Sequence, residues 1–392
     1  MDESEKAAIK FKNSPEDFIV EEIGRSWICK VSESKEVFEN SKVDFGKLDI
    51  NDRRTFITCD LEKYNIDHFS AFEILGKALN KGQHELGYAG TKDKSAWSCQ
   101  RISIFNPNME LIKIFSHSGI VLKNFKWAKH KINVGDLKGN SFNIILRDAG
   151  KEAIKILPKV RHLQLLPNSF GPQRFGSLRK DNFNIGRLIF KKRFEEAIWT
   201  FLTGFGENED DEVKKAKKRL KSEKNIVEAA KYFPEKLRLE HQLLNHLSKF
   251  PKDWIGALGM IDEKTLLIIA QSVQSRIFNE ILQRVVDKKI DVRNNELILP
   301  GYSTQFSEGK LGKIEAEILN EYDLEIKDFN IQEIPFLKFK GSMRKSFSKI
   351  EGIDVRVEED ELFQGSKKII LSFILDSGTY ATTFLEQFFI LS

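Results

Sequence analysis

Three short segments hold the residue types that chemistry needs. In Gly87-Tyr-Ala-Gly-Thr-Lys-Asp-Lys-Ser-Ala96 a glycine-rich turn carries Asp93 between Lys92 and Lys94. Glycine lets backbone approach a ligand closely, lysines suit phosphate, and a carboxylate serves as a base or a nucleophile. The segment lacks the GxxxxGK(S/T) pattern of a phosphate loop. On residue type alone, an aspartate flanked by two lysines is more often a neutralised turn residue. In Asn168-Ser-Phe-Gly-Pro-Gln-Arg-Phe-Gly176 two Phe-Gly pairs enclose amides and Arg174. An exposed aromatic ring beside amides and a guanidinium can take an unstacked nucleobase, the ring stacking and the amide reading an edge. The same rings can equally plug a core from a loop. The third segment, Lys12-Asn-Ser-Pro-Glu-Asp-Phe-Ile-Val-Glu-Glu22, reads as a turn entering a strand, and nothing in it assigns a role to Lys12.

The elements around these segments are mixed. Phe18–Ile23 and Trp27–Val31 read as short strands on either side of Gly24. Apolar spacing at Phe72, Leu75, Ala78 and Leu79 predicts a helix from Phe69. The runs Glu85–Ala89 and Cys99–Phe105 read as strands that present the Asp93 turn between them. A helix over Leu111–Phe115, a strand over Ile120–Trp127, a turn at Gly135–Asn140 and a strand over Phe142–Arg147 follow. Lys151–Leu165 reads as a helix stopped by Pro167. From about 180 to 290 the pattern is helix after helix. It includes the lysine-rich run Lys214–Lys224, which reads as a solvated face, and a long amphipathic helix over Thr265–Val286. Strand character returns at Glu296–Pro300 and Ile369–Leu375, and Ser377-Gly-Thr379 leads into a short final helix. A helical block inside an α+β frame predicts an insertion in a larger mixed domain.

Composition narrows the class. The chain has 392 residues, 41% of them hydrophobic and 31% charged, enough apolar matter for a sizeable core. Its net charge of +5 decides nothing about partners unless the signs segregate in space. No apolar run approaches the roughly 18 residues of a membrane-spanning helix. The charged start MDESEKAAIKFK is not a secretory leader. Three cysteines, Cys29, Cys59 and Cys99, form no CxxC pair, so the expectation is a reduced, cytoplasmic protein. His241 and His246 are five apart, which is not the i, i+4 spacing of a zinc helix, so no metal is expected.

Taken in order, the segments resemble the TruD family of tRNA pseudouridine synthases over nearly the whole chain. The resemblance rests on KNSPEDFIVEE from Lys12, GTKDKSA around Asp93, the LKGN-x-F turn of Leu137–Phe142 after Lys129-His130-Lys131, NSFGPQRFG at Asn168–Gly176, and Ser377–Thr382. Ser169 departs from the family pattern, where many members carry an aromatic, and the inserted segment matches only locally around Ser275–Asn279. The resemblance implies a pseudouridine synthase catalytic domain with a curved mixed sheet over 1–180 and 338–392, interrupted by a mostly helical TruD insertion over 181–337. It implies isomerisation of uridine in tRNA, at position 13 of the D-arm, by a monomer without metal or organic cofactor. Asp93 would be the catalytic carboxylate, by attack at the sugar C1′ or by removal of the C2′ proton. Lys12 would lie near Asp93 or on a phosphate, Phe170 would stack the extruded base, and Asn168 would hold the loop or the carboxylate. Lys92, Lys94 and Arg174 would make backbone or network contacts. The alternative of another class is a non-catalytic tRNA-binding protein or RNA chaperone on the same scaffold. A hydrolase using Asp93 would need an acidic magnesium cluster, which no neighbouring sequence supplies.

Overall fold

The computed structural model describes residues 6–39, 43–46, 48–49, 54–176, 181–206 and 209–392. The chain divides into two compact units, Met1–Leu166 with Ser348–Ser392, and Pro167–Phe347. The expected bounds fell at 180 and 338. Residue 180 lies outside the described residues, and the Asn168–Gly176 segment belongs to the second unit because its backbone is tied to a helix there.

The first unit opens with strands β1 (Ala7–Phe11), β2 (Phe18–Gly24) and β3 (Phe56–Tyr64), helix α1 (His68–Leu79), then β4 (Leu86–Tyr88) and β5 (Trp97–Phe105). It continues through α2 (Met109–Ile114), β6 (Ile120–Ala128), β7 (Leu137–Ala149), α3 (Lys151–Arg161) and β8 (Leu165–Pro167). The second unit contains α4 (Asn182–Phe190), α5 (Phe194–Thr203), α6 (Asp211–Glu223), α7 (Ile226–Tyr232), α8 (Arg238–Lys249), α9 (Trp254–Leu258) and α10 (Glu263–Asp287). Strand β9 (Glu296–Leu299), α11 (Gly309–Glu321) and β10 (Ser342–Lys345) complete it. The first unit resumes with β11 (Phe347–Glu359), β12 (Lys367–Asp376), α12 (Ala381–Leu385) and β13 (Phe389–Leu391).

The first unit is built on one mixed sheet with the order β6-β3-β5-β2-β7-β12-β11-β8. Strands β2 and β5 run parallel, with Val20 opposite Ser98, and the neighbouring pairs β3–β5, β2–β7 and β7–β12 are antiparallel. Along β2 and β12 burial alternates residue by residue, as a sheet covered on one face requires. Strand β3 is buried on both faces: Ile57, Cys59 and Leu61 enter an apolar cluster, while Asp60 and Glu62 on the other side are also sealed.

Two expected elements come out differently. Trp27–Val31 forms a single bridge, Ile28 to Ile23, instead of a strand. Its backbone is claimed by side chains: Val31 N–H donates to Glu21 and Ser32 N–H to Glu62 Oε1, at 3.2 and 2.8 Å. Only Gly24 N–H to Trp27 O and Cys29 N–H to Glu22 O, at 2.8 and 2.9 Å, remain of a ladder, and carboxylates of β2 and β3 take the backbone beyond. Helix α3 ends at Arg161, before Pro167, and contains Pro158. That proline brings no N–H to the interior of the helix, and the chain re-enters the sheet at Leu165.

In the second unit helix α10 is 25 residues long and is capped by Asp262, which accepts from Thr265 N–H at 3.0 Å. Val273, Ile277, Phe278, Ile281 and Leu282 bury its inner face, with α4, α11 and β9 as its neighbours. The antiparallel pair β9–β10 sets Ser342 opposite Leu299. Among the described residues no helix is long and apolar enough to cross a membrane.

Candidate active site

Asp93 stands on the turn between β4 and β5, about half exposed. Gly87 lets that turn form. A Cβ there would lie 2.4 Å from Ile132 O and 2.4 Å from Ser103 Oγ, so the crossing chain excludes any side chain. Asp93 is held from two sides. Its Oδ2 accepts from Lys12 Nζ at 2.6 Å, and its backbone carbonyl accepts from Lys63 Nζ. Lys63 also donates to Ile66 O at 2.8 Å. It is fully buried on β3, and burial brings its ammonium down to about 8 against the raising effect of Asp93. Beneath the turn, Lys92 is buried against Glu22 Oε2 at 2.5 Å, with side-chain exposures of 3% and 0%. Glu22 Oε1 accepts from Arg101 N–H at 3.1 Å. Burial pushes the Glu22 carboxyl up, and Lys92 opposes it. Lys92 therefore anchors the turn to β2.

Lys12 reaches Asp93 from the end of β1 with a left-handed backbone, φ 56°. Such a conformation costs a non-glycine residue on the order of 1 kcal/mol and persists where the surroundings hold it. The surroundings are visible. The Nζ sits 4.0 Å from the Phe18 ring centre. Three residues on, Pro15–Asp17 form a 3₁₀ turn whose Asp17 accepts from Ser14 N–H at 3.1 Å. Asp17 is buried, its carboxyl pushed up by burial and opposed by Arg147, whose Nε donates to it at 2.8 Å. Arg147 also meets Asp360 and Glu361, each at 3.0 Å. The PEDF stretch thus builds the support of Lys12.

The other candidates gather in the second unit. Asn168 is buried: its Nδ2 donates to Lys345 O at 3.0 Å and its Oδ1 accepts from Arg344 Nη2 at 2.6 Å. It holds the loop to the end of β10. Phe170 is bracketed by Asn279 of α10, which accepts from Phe170 N–H at 2.8 Å and donates to its carbonyl at 2.9 Å. The ring packs edge-on against Phe278 at 5.6 Å and carries the Arg344 guanidinium 4.1 Å from its centre. Arg174 donates to Gln271 Oε1 at 2.7 Å and Ser275 Oγ at 3.3 Å. The structure thus groups Lys12, Asp93 and Lys92 in one unit, and Asn168, Phe170 and Arg174 in the other. Sequence reasoning missed Lys63, Glu22, Arg147, Asn279 and Arg344. Glu22 and Asn279 lay inside matched segments, whereas only three-dimensional contact reveals the others.

One group with metal-donor geometry is present among the described residues: Cys29, Asp60 and Cys99, buried within 4.8 Å of one another. Asp60 is already engaged by Arg101 Nε at 2.5 Å, Asn124 Nδ2 at 2.8 Å and the Cys29 thiol at 3.1 Å. Burial, foremost, pushes the Cys99 thiol well up and disfavours the thiolate a metal needs. The group is a hydrogen-bonded core cluster. In the lysine-rich run, Lys217 is fully buried and bonds Glu209 at 2.9 Å, so the face is not wholly solvated as expected; Lys215, Lys218 and Lys221 are exposed.

A family model described as tRNA pseudouridine synthase D (TruD) matches residues 1–297 and 294–388. The "Probable tRNA pseudouridine synthase D" of Methanosarcina acetivorans is 31% identical over 382 residues, covering 85% of this chain and 86% of that protein. The "Probable tRNA pseudouridine synthase D 1" of Methanocaldococcus jannaschii is 31% identical over 388 residues, with coverages of 96% and 94%. A crystal structure described as that of the "Putative tRNA pseudouridine synthase D (TruD)" from Methanosarcina mazei superposes with a TM-score of 0.75. It is 27% identical and covers 98% of this chain and 94% of its own.

Proposed function

The chain belongs to the TruD family of tRNA pseudouridine synthases, and from that premise we propose that Asp93 is its catalytic carboxylate and uridine 13 of tRNA its target. The overall reaction is pseudouridine synthesis in tRNA, an isomerisation. The N-glycosidic bond breaks, the uracil turns, and C5 bonds to C1′ with loss of the C5 proton to nitrogen, so atoms balance without an oxidant. Asp93 either attacks C1′ or removes the C2′ proton. The observation that carries the assignment is the half-exposed Asp93 carboxylate set 2.6 Å from Lys12. That ion pair fixes the direction of the carboxylate that either route uses.

Reaching the sugar requires the uridine to leave its stack, at a cost of a few kcal/mol. Phe170 offers a ring on which an unstacked base regains about 1–3 kcal/mol. In this reading Asn168 and Arg174 hold the loop that presents the ring, and Lys92 holds the turn under Asp93. The reading includes a monomeric cytoplasmic enzyme, in keeping with three buried free thiols, that uses neither metal nor organic cofactor. In this reading residues 1–180 and 338–392 form the catalytic domain and 181–337 the TruD insertion, with the Asn168–Gly176 loop packed in the unit of the insertion.

Unmodified tRNA transcript incubated with the protein without added metal tests this, with pseudouridine mapped by chemical labelling. Pseudouridine at position 13 from the parent and none from Asp93→Asn is expected. Modification elsewhere would discard the position and keep the carboxylate. An active Asp93→Asn would overturn the assignment, and tight binding without modification by the parent would favour a tRNA-binding protein.

A further inference from the structure

The second unit contains a cleft of about 440 Å³ whose walls are Phe170 and Arg174 of the loop, Gln271, Gln274 and Ser275 of α10, and the segment Lys338–Arg344. That volume is in the range of sites for small ligands, roughly 300–1,000 Å³. Its charge is one-sided: Arg174, Lys338, Lys340 and Arg344 line it, and no carboxylate is among its described lining residues. The walls are fixed. Tyr302 N–H donates to Phe339 O at 2.8 Å and Ser303 N–H to Lys340 O at 3.0 Å, which pins the backbone that carries both lysines. Gln274 Nε2 donates to Pro300 O at 2.7 Å. Arg344 is oriented by the Asn168 backbone and amide oxygens, at 3.1 and 2.6 Å, and by the Phe170 ring. These contacts fix the direction of the guanidinium. Lys338 and Lys340 stand exposed at the rim.

We propose that this cleft is a phosphate subsite for RNA. A backbone phosphodiester sits between the two lysines and the two guanidiniums, beside the ring that stacks a base. The guanidinium forks suit the paired oxygens of a phosphodiester, and the lysines act as point charges. The subsite rests on the reading that the substrate is tRNA, and it makes Lys338 and Lys340 determinants of how that RNA is held.

The test uses the full chain and an unmodified tRNA transcript. Affinity is measured at several salt concentrations for the parent, for Lys338→Gln with Lys340→Gln, and for the exposed control pair Lys215→Gln with Lys221→Gln. Loss of one neutralised phosphate lowers the slope of log affinity against log salt by roughly 0.7–0.9 and weakens binding several-fold. That result is expected for the cleft pair and a smaller one for the control pair. An unchanged slope in the cleft variant overturns the proposal, and so does an equal loss in both variants, because any two positive charges would then serve. Pseudouridine formation by the parent is read in parallel. Its failure would count against the catalytic reading, while the slopes would still report on the cleft.

Discussion

Two lysines reach Asp93, and they do different things. Lys12 meets the carboxylate in a partly solvated ion pair, whereas Lys63 meets the backbone carbonyl from inside β3. A buried ammonium that fixes the main chain under a reacting carboxylate sets where the carboxylate stands without consuming its charge. Its own charge is costly there. In the unfolded chain a lysine titrates near its ordinary value of about 10.5, and in the folded chain Lys63 titrates at about 8. Between these values the unfolded state binds more protons, so stability rises with pH across that window. The contribution is full above 10.5 and absent below about 8. Relative to Lys63→Met, the parent should gain on the order of 1–2 kcal/mol between pH 8 and 9.5 in urea unfolding. A pH-independent difference would mean that Lys63 keeps its proton. In the sequence, the alternation of Ile57, Cys59 and Leu61 puts Lys63 on the apolar face, but a lysine at the end of a strand ordinarily reaches solvent, so its residue type hid its burial. Lys12, Asp93, Asn168 and Phe170 were legible only because several short segments fell in a known order. Their residue types alone also fitted turns and core plugs.

Elements show the same division between local and non-local causes. The Asp93 turn requires a bare backbone at Gly87, because Ile132 and Ser103 occupy the space of a side chain. Gly139 within β7 is similar: a Cβ would lie 2.2 Å from Leu375 O, across the β7–β12 ladder. Gly87→Ala should therefore force β4 from the chain crossing it. The expected cost is about 1–3 kcal/mol, with a loss of pseudouridine formation larger than the loss of tRNA affinity, since the displaced part carries Asp93. Unchanged melting and activity would show that the crossing segment yields freely. Helix α10 and strand β5 could be read from sequence because their apolar periodicity is long and self-consistent. Trp27–Val31 could not, because its pairing with β2 stops at Cys29 and the chain beyond is held by the side chains of Glu21 and, at Ser32, of Glu62, 30 residues away. The end of α3 was misplaced because Pro158 is accommodated within the helix and the sheet reclaims Leu165.

The whole chain is one mixed unit entered twice by its own backbone, with a second unit inserted between Leu166 and Ser348. The shift in composition near residue 180 announced the inserted block, but its first residues carry an aromatic loop that composition cannot assign. Each unit has a core of its own. Ile57, Leu61, Ile102 and Ile104 close one cluster in the first unit, Ile144, Leu371 and Phe384 another, and the helices of the second unit close theirs around Leu243, Ile277 and Ile281. Separate cores are the physical condition for separate opening, and chains of this size often depart from a single cooperative transition. Leu243 is fully buried, and truncation to alanine removes about 2–5 kcal/mol of packing. Hydrogen exchange read by mass spectrometry in moderate urea should then show peptides of α4, α8 and α10 losing protection in Leu243→Ala. Peptides of β3, β5 and β7 should keep the protection of the parent. An equal loss in both sets would mean that the two units unfold as one, and that the insertion contributes to the stability of the sheet that carries Asp93.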